Sequence, residues 1–193
     1  HYVARESQTS LIGNIYLGRV QNVLPSMEAA FIDIGKGRNA VLYAGEVNWS
    51  ALGHKDGQPR KIESVLSSGQ SILVQVTKDP VGHKGARLTT QISIPSRYLV
   101  LLPRTRVVGV SARIEDEVER ARLKTFVAGL AAADEPHGYI VRTNAESQPE
   151  EALAEDIAYL SRAWKLISER SGSAHVGQCV YEDLTLPLRA VRD

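Results

Sequence analysis

Only one cysteine, Cys179, occurs among the 193 residues, which excludes an internal disulfide and a metal cluster built from one chain's thiolates. A lone thiol of this kind is expected as a small buried hydrophobe in a reducing compartment. No apolar run approaches the roughly 20 residues that cross a bilayer, and no signal peptide opens the chain, so the expectation is a soluble cytoplasmic protein. Neither charge sign dominates: 23 Lys and Arg face 22 Asp and Glu, which excludes a polycation. The balance is nonetheless uneven, with 10 basic and 7 acidic residues in 1–90 (net +3) against 13 and 15 in 91–193 (net −2), so phosphate contacts are expected in the first half. No Gly-x-Ser-x-Gly, Walker or His-Glu-x-x-His pattern occurs. His54, His83, His137 and His175 lie in polar or Gly-containing stretches without a paired nucleophile and read as solvated loop residues. The chain opens at His1 rather than Met and closes at Asp193, which suggests a piece of a longer gene product.

What is present begins with strands. Period-two alternation and turn signals predict five strands at 14–23, 29–34, 40–43, 71–77 and 86–94, with turns at Pro25-Ser26, Gly35-Lys36-Gly37 and Gly82-His83-Lys84-Gly85. A polar stretch, residues 48–68, separates the third from the fourth. Five short strands with one long loop is the pattern of an OB-type β barrel, whose open face commonly binds single-stranded nucleic acid.

After residue 94 the texture becomes that of a small α+β domain. Apolar strands are expected at 98–102, 107–110 and 138–143, and one or two more within 179–191, interrupted by Pro187. A helix is expected over 114–133, with Val118, Phe126 and Leu130 on its apolar side. A second is marked by Leu153, Ile157, Leu160, Trp164 and Ile167, whose spacing of four, three, four and three forms one core-facing stripe. Ser147-x-x-Glu150 offers a capping box at its start.

Three groups of residues could carry function. Phe31 sits in a strand where alternation alone leaves it either in the core or on the surface, and on the surface it could stack a base. Lys78, Lys84 and Arg87 surround the Gly82–Gly85 turn, either as phosphate contacts or as a solvated hairpin tip. Gly82-x-x-Gly85 also spells the clamp of KH domains, but that clamp joins helices and this turn joins strands. Arg142-Thr143, at the end of a strand, reads as a structural arginine or as a guanidinium fork with a hydroxyl able to hold a terminal phosphate.

The order of these motifs resembles a family. Gly13-Asn14-Ile15-Tyr16-Leu17-Gly18-Arg19-Val20 with Ala29-Ala30-Phe31-Ile32-Asp33, then Ser96-Arg97-Tyr98-Leu99-Val100, Gly109-Val110-Ser111-x-Arg113-Ile114-Glu115 and Ile140-Val141-Arg142-Thr143, is similar to ribonucleases E and G, nearer the ribonuclease G branch. The resemblance implies an S1 domain of OB fold at 13–94, a 5′-sensor domain at 95–187, and remnants of an RNase H-like domain at 1–12 and 188–193. It makes Phe31 a stacking residue, puts Val41 where the family carries a second aromatic, and matches Lys84 to a lysine used on RNA. It also gives Arg142, Thr143, the backbone near Val100, Ser96 and Arg113 to a 5′-monophosphate. Ser96 replaces a glycine of ribonuclease E. The parent it implies is a homo-oligomeric endoribonuclease that cuts single-stranded RNA with Mg²⁺, held by two aspartates of a DNase I-like domain beyond residue 193. A zinc shared by cysteines also lies downstream and is not matched by Cys179. The chain itself is then expected to bind RNA with no cofactor and without cutting it. A stand-alone S1-type RNA-binding regulator is the alternative from another class.

Overall fold

Alternation in the first ninety residues closes a barrel. The computed structural model describes residues 9–132 and 137–183, and within it β1 (Ile15–Leu24), β2 (Ala29–Asp33), β3 (Ala40–Tyr43), β4 (Ser71–Lys78) and β5 (Arg87–Thr89) pair in the order β1-β2-β3-β5-β4, with β4 returning to β1. All pairings are antiparallel except β3 with β5. This is a closed five-stranded OB-type barrel, and closure leaves the sheet without the edge that would otherwise invite aggregation. β1 can serve two neighbours because its register shifts between Val20 and Asn22, a bulge that bends the strand.

Tyr16, Ile32, Leu42, Val74 and Leu88 fill the interior. The polar stretch 48–68 is not merely a loop: Trp49, Ile62 and Leu66 join the barrel core from it, as does Val47 just before. Gly85 makes the parallel β3–β5 pairing possible. A Cβ there would lie 2.1 Å from the Asn39 carbonyl oxygen, so only glycine allows the approach that brings the Val41 N–H to the Ala86 carbonyl.

The expected strand at 86–94 is two pieces. Pairing with the barrel ends at Thr89, where the Thr89 and Thr90 hydroxyls both donate to the Glu46 carbonyl. β6 (Ile94–Pro95) instead pairs with β7 (Leu99–Leu102). One compact unit takes the chain up to Gln91 and again from Arg170, and the other is Ile92–Glu169.

The second unit is a four-stranded sheet in the order β6-β7-β9-β8, with β8 at Val108–Val110 and β9 at Gly138–Val141. β8 and β9 run parallel because α1 (Glu117–Ala132) connects them. Asp116 caps α1, its Oδ1 accepting the N–H groups of Val118 and Glu119. The buried side chains of α1 are Leu123, Val127 and Ala131. Val118 is 79% exposed, contrary to expectation: it lies five residues before Leu123, about 140° around the helix at 3.6 residues per turn.

The expected stripe on α2 (Glu150–Ser173) is buried in full at Leu153, Ile157, Leu160, Trp164 and Ile167. The expected capping box does not form. Ser147 is left-handed at φ 65°, its N–H goes to the Glu119 carboxylate, and the helix starts at Glu150 over the Pro149 carbonyl. β10 (Cys179–Tyr181) pairs with Ile15 and Tyr16 of β1, and Cys179 is exposed there rather than buried. The proline-interrupted strand after 183, residues 1–8 of the RNase H-like remnant expected at 1–12, and the remnant expected at 188–193 lie outside the described residues.

Candidate nucleic-acid interface

On β2 and β3 the inward positions are Ala30, Ile32, Ala40 and Leu42, all fully buried. The residues between them, Phe31 and Val41, are half-buried and turn to the outer face. Register then lines up one row across that face: Asn22 opposite Phe31, Phe31 opposite Val41, Val41 opposite Arg87, and Arg87 opposite Lys78. Three sequence-derived candidates, Phe31, Arg87 and Lys78, thus share a row. Lys84 lies beyond it on the hairpin tip, where Val81 and Lys84 exchange backbone hydrogen bonds around Gly82 and His83. Lys78 and Lys84 are exposed and Arg87 is half-buried. Val41 offers no ring at its place in the row.

Two residues that sequence reading missed belong to this face. Arg38 donates from Nη1 to the Gly82 carbonyl and so brings a further cation to the hairpin tip from a distant turn. Tyr43, two residues after Val41, is half-buried with the Arg87 guanidinium 4.7 Å from its ring centroid. Neither has a local sequence signal; only the parallel β3–β5 register places Tyr43 beside Arg87.

In the second unit Arg142 reaches the backbone of Ser96–Tyr98, whereas Thr143 and Arg113 lie beside Ser111. Arg142, just past β9, donates its backbone N–H to the Tyr98 carbonyl at 2.8 Å and Nη1 to the Ser96 carbonyl at 2.7 Å. Among the described residues that Nη1 contact is the only hydrogen bond of its guanidinium. Asn144 donates to the Arg97 carbonyl at 2.7 Å. From α2, Asp156 accepts the Ser96 hydroxyl at 2.7 Å and the Tyr98 N–H at 2.6 Å. The turn is therefore gripped through its three carbonyls and one carboxylate. The Thr143 hydroxyl is exposed and 2.8 Å from that of Ser111, which itself follows β8. Arg113 is exposed two residues on. Its loop is held by Arg120, which donates to the carbonyls of Val110, Ser111 and Ile114. Val100 lies within β7, paired with Pro95 and Ile140.

Asp156, Ser111, Asn144 and Arg120 were not singled out from sequence. Asp156 stands beside the apolar stripe of α2, where an acidic residue reads as solvated helix surface. Two histidines depart from the solvated reading: His137 is half-buried, edge-on to Trp164, with Nδ1 accepting the Arg104 N–H, and His54 is half-buried, edge-on to Trp49.

An ion pair fixes the segment after Thr143. Glu119 accepts from Arg122 at 2.7 and 3.0 Å and from the Ser147 N–H, while Arg122 also donates to the Gln148 carbonyl. The guanidinium of Arg122 and the Ser147 N–H hold the Glu119 carboxyl down from 4.5 to about 2. Because the folded value is the lower one, the stabilisation is complete above about pH 4.5 and lost as pH falls toward about 2. Glu119→Gln should therefore lower the denaturation midpoint at pH 7, with the gap to the unmodified chain closing near pH 2. A gap that is the same at both pH values would contradict this.

The comparisons with known proteins point one way. The model of the ribonuclease E/G family matches residues 93–193, just over half of the chain. Ribonuclease G of Escherichia coli (strain K12) is 46% identical over 197 aligned residues, covering all of this chain and 40% of that protein. Ribonuclease G of Haemophilus influenzae is 42% identical with the same coverage. Ribonuclease E of Synechocystis sp. is 40% identical over 185 residues, covering 94% of this chain and 26% of that protein. The chain thus spans about 40% of the length of the ribonuclease G relatives it matches.

Proposed function

The chain belongs to the ribonuclease E/G family, and we propose that it grips single-stranded RNA on the outer face of its barrel and reads a 5′-monophosphate in its second unit, as part of an RNA-processing endoribonuclease. The observation that carries this reading is the arrangement past β9: Arg142 anchored by Nη1 on the Ser96 carbonyl, beside the Thr143–Ser111 hydroxyl pair. A terminal phosphate monoester carries more charge and more acceptor oxygens than an internal diester. A guanidinium fork flanked by hydroxyls, with Arg113 near, selects it by charge-assisted hydrogen bonds. The resemblance sets the backbone near Val100 against the phosphate, an arrangement that would disfavour a bulkier triphosphate.

Among the described residues no three His, Cys, Asp or Glu side chains converge as a metal cage would require. Among the same residues no helix is long and apolar enough to cross a membrane. A cytoplasmic, homo-oligomeric parent completes the reading.

The barrel half is tested by substitution. Phe31→Ala should weaken binding of a single-stranded oligoribonucleotide by about 1–3 kcal/mol, one base stack. Lys84→Ala should lower the slope of log affinity against log salt by about one. Loss of fold in Phe31→Ala, with no RNA defect in Lys84→Ala, would remove the barrel from the interface.

A further inference from the structure

The half-buried Tyr43 carries the Arg87 guanidinium over its ring, a placement that a phosphate contact by Arg87 does not explain. Register puts Tyr43 on the outer face beside Val41, opposite Ala29, which makes it the diagonal neighbour of Phe31. Diagonal neighbours on one face lie about 7–8 Å apart, within reach of aromatic side chains. Arg87 faces Val41 across the parallel pairing and folds over Tyr43, its guanidinium carbon 4.7 Å from the ring centroid. A guanidinium held near a ring has lost the freedom that makes free arginines costly to order, and the Arg87 side chain is only half-buried. A guanidinium plane is flat and weakly hydrated, a surface on which nucleobases stack. The cations suited to phosphate are elsewhere, on the exposed Lys78, Lys84 and Arg38.

We propose that Tyr43 and Arg87 form one composite platform that stacks a second nucleobase of the single strand next to the one on Phe31. This rests on the reading of the barrel face as the RNA-binding surface. Tyr43 serves as the support, Arg87 as the contact, and base identity is not read, because every base presents a π-face.

The test uses the 193-residue chain, an oligouridylate and an abasic ribose-phosphate strand of the same length, with affinities measured over a salt series. Arg87→Lys keeps the charge and loses the plane. It should weaken oligouridylate binding about 5-fold or more, with the salt slope unchanged and the abasic strand bound as before. Tyr43→Ala should do the same and Tyr43→Phe should bind as the unmodified chain; if Tyr43→Ala fails to fold, Arg87→Lys decides. Unchanged oligouridylate affinity in Arg87→Lys, or equal loss on the abasic strand, would overturn the platform. If Phe31→Ala still weakens binding in that event, the inference alone has failed. If the unmodified chain binds neither strand, the reading beneath it has failed as well.

Discussion

Arg142→Ala is expected to erase most of the preference for 5′-monophosphorylated RNA while leaving binding by the barrel in place. The guanidinium carries the charge of the site, and its Nη1 contact to the Ser96 carbonyl fixes the direction in which the remaining donors point. Losing two charge-assisted hydrogen bonds costs about 2–4 kcal/mol, a factor of about 30 to 1,000 in affinity. Removal also leaves the Ser96 carbonyl without its partner. Asp156 and Asn144 still hold the same turn, so the unit should keep its fold. The check is a titration of the variant with oligonucleotides that differ only at the 5′ end. A preference that survives intact would move phosphate recognition away from Arg142.

Trp164→Ala should cost the second unit about 3–5 kcal/mol of stability, the usual loss for truncating a large core aromatic. Trp164 is buried in the α2 stripe between Leu160 and Ile167, and it also supports His137 edge-on at 6.1 Å between centroids. A small domain is stable by only about 5–15 kcal/mol. Discrimination among 5′ ends should therefore fall with the second unit, while oligouridylate binding persists, since the barrel has its own core. Denaturation followed by far-ultraviolet circular dichroism, which reports the helices α1 and α2, and by RNA affinity separates the two. Simultaneous loss of both activities would show that the units do not stand independently.

The sequence was most legible where periodicity reports burial. The α2 stripe and the alternation of β1 to β4 appear as expected because hydrophobic spacing is what drives those elements to pack. It misled where a polar partner overrode a local signal. Ser147 and Glu150 have the spacing of a capping box, but Glu119, distant in sequence, takes the Ser147 N–H and the helix begins later. Val118 was placed on the core side of α1 by its chemistry, although its angular position excludes it. Cys179 follows the habit of free thiols in composition and not in place, since a strand paired at the end of β1 leaves it exposed. In the candidate sites, Phe31, Lys84, Arg142 and Thr143 stand in motifs that name them as candidates. Asp156, Ser111 and Tyr43 were not readable, because each meets its partner only through a pairing between elements far apart in the chain.

The reading stands on one titration: the unmodified chain against a single-stranded oligoribonucleotide bearing a 5′-monophosphate, a 5′-hydroxyl or a 5′-triphosphate. The account expects the monophosphate to bind tightest, by about 30-fold or more over the hydroxyl, as the loss of two charge-assisted bonds implies. Equal affinity for all three ends would contradict it.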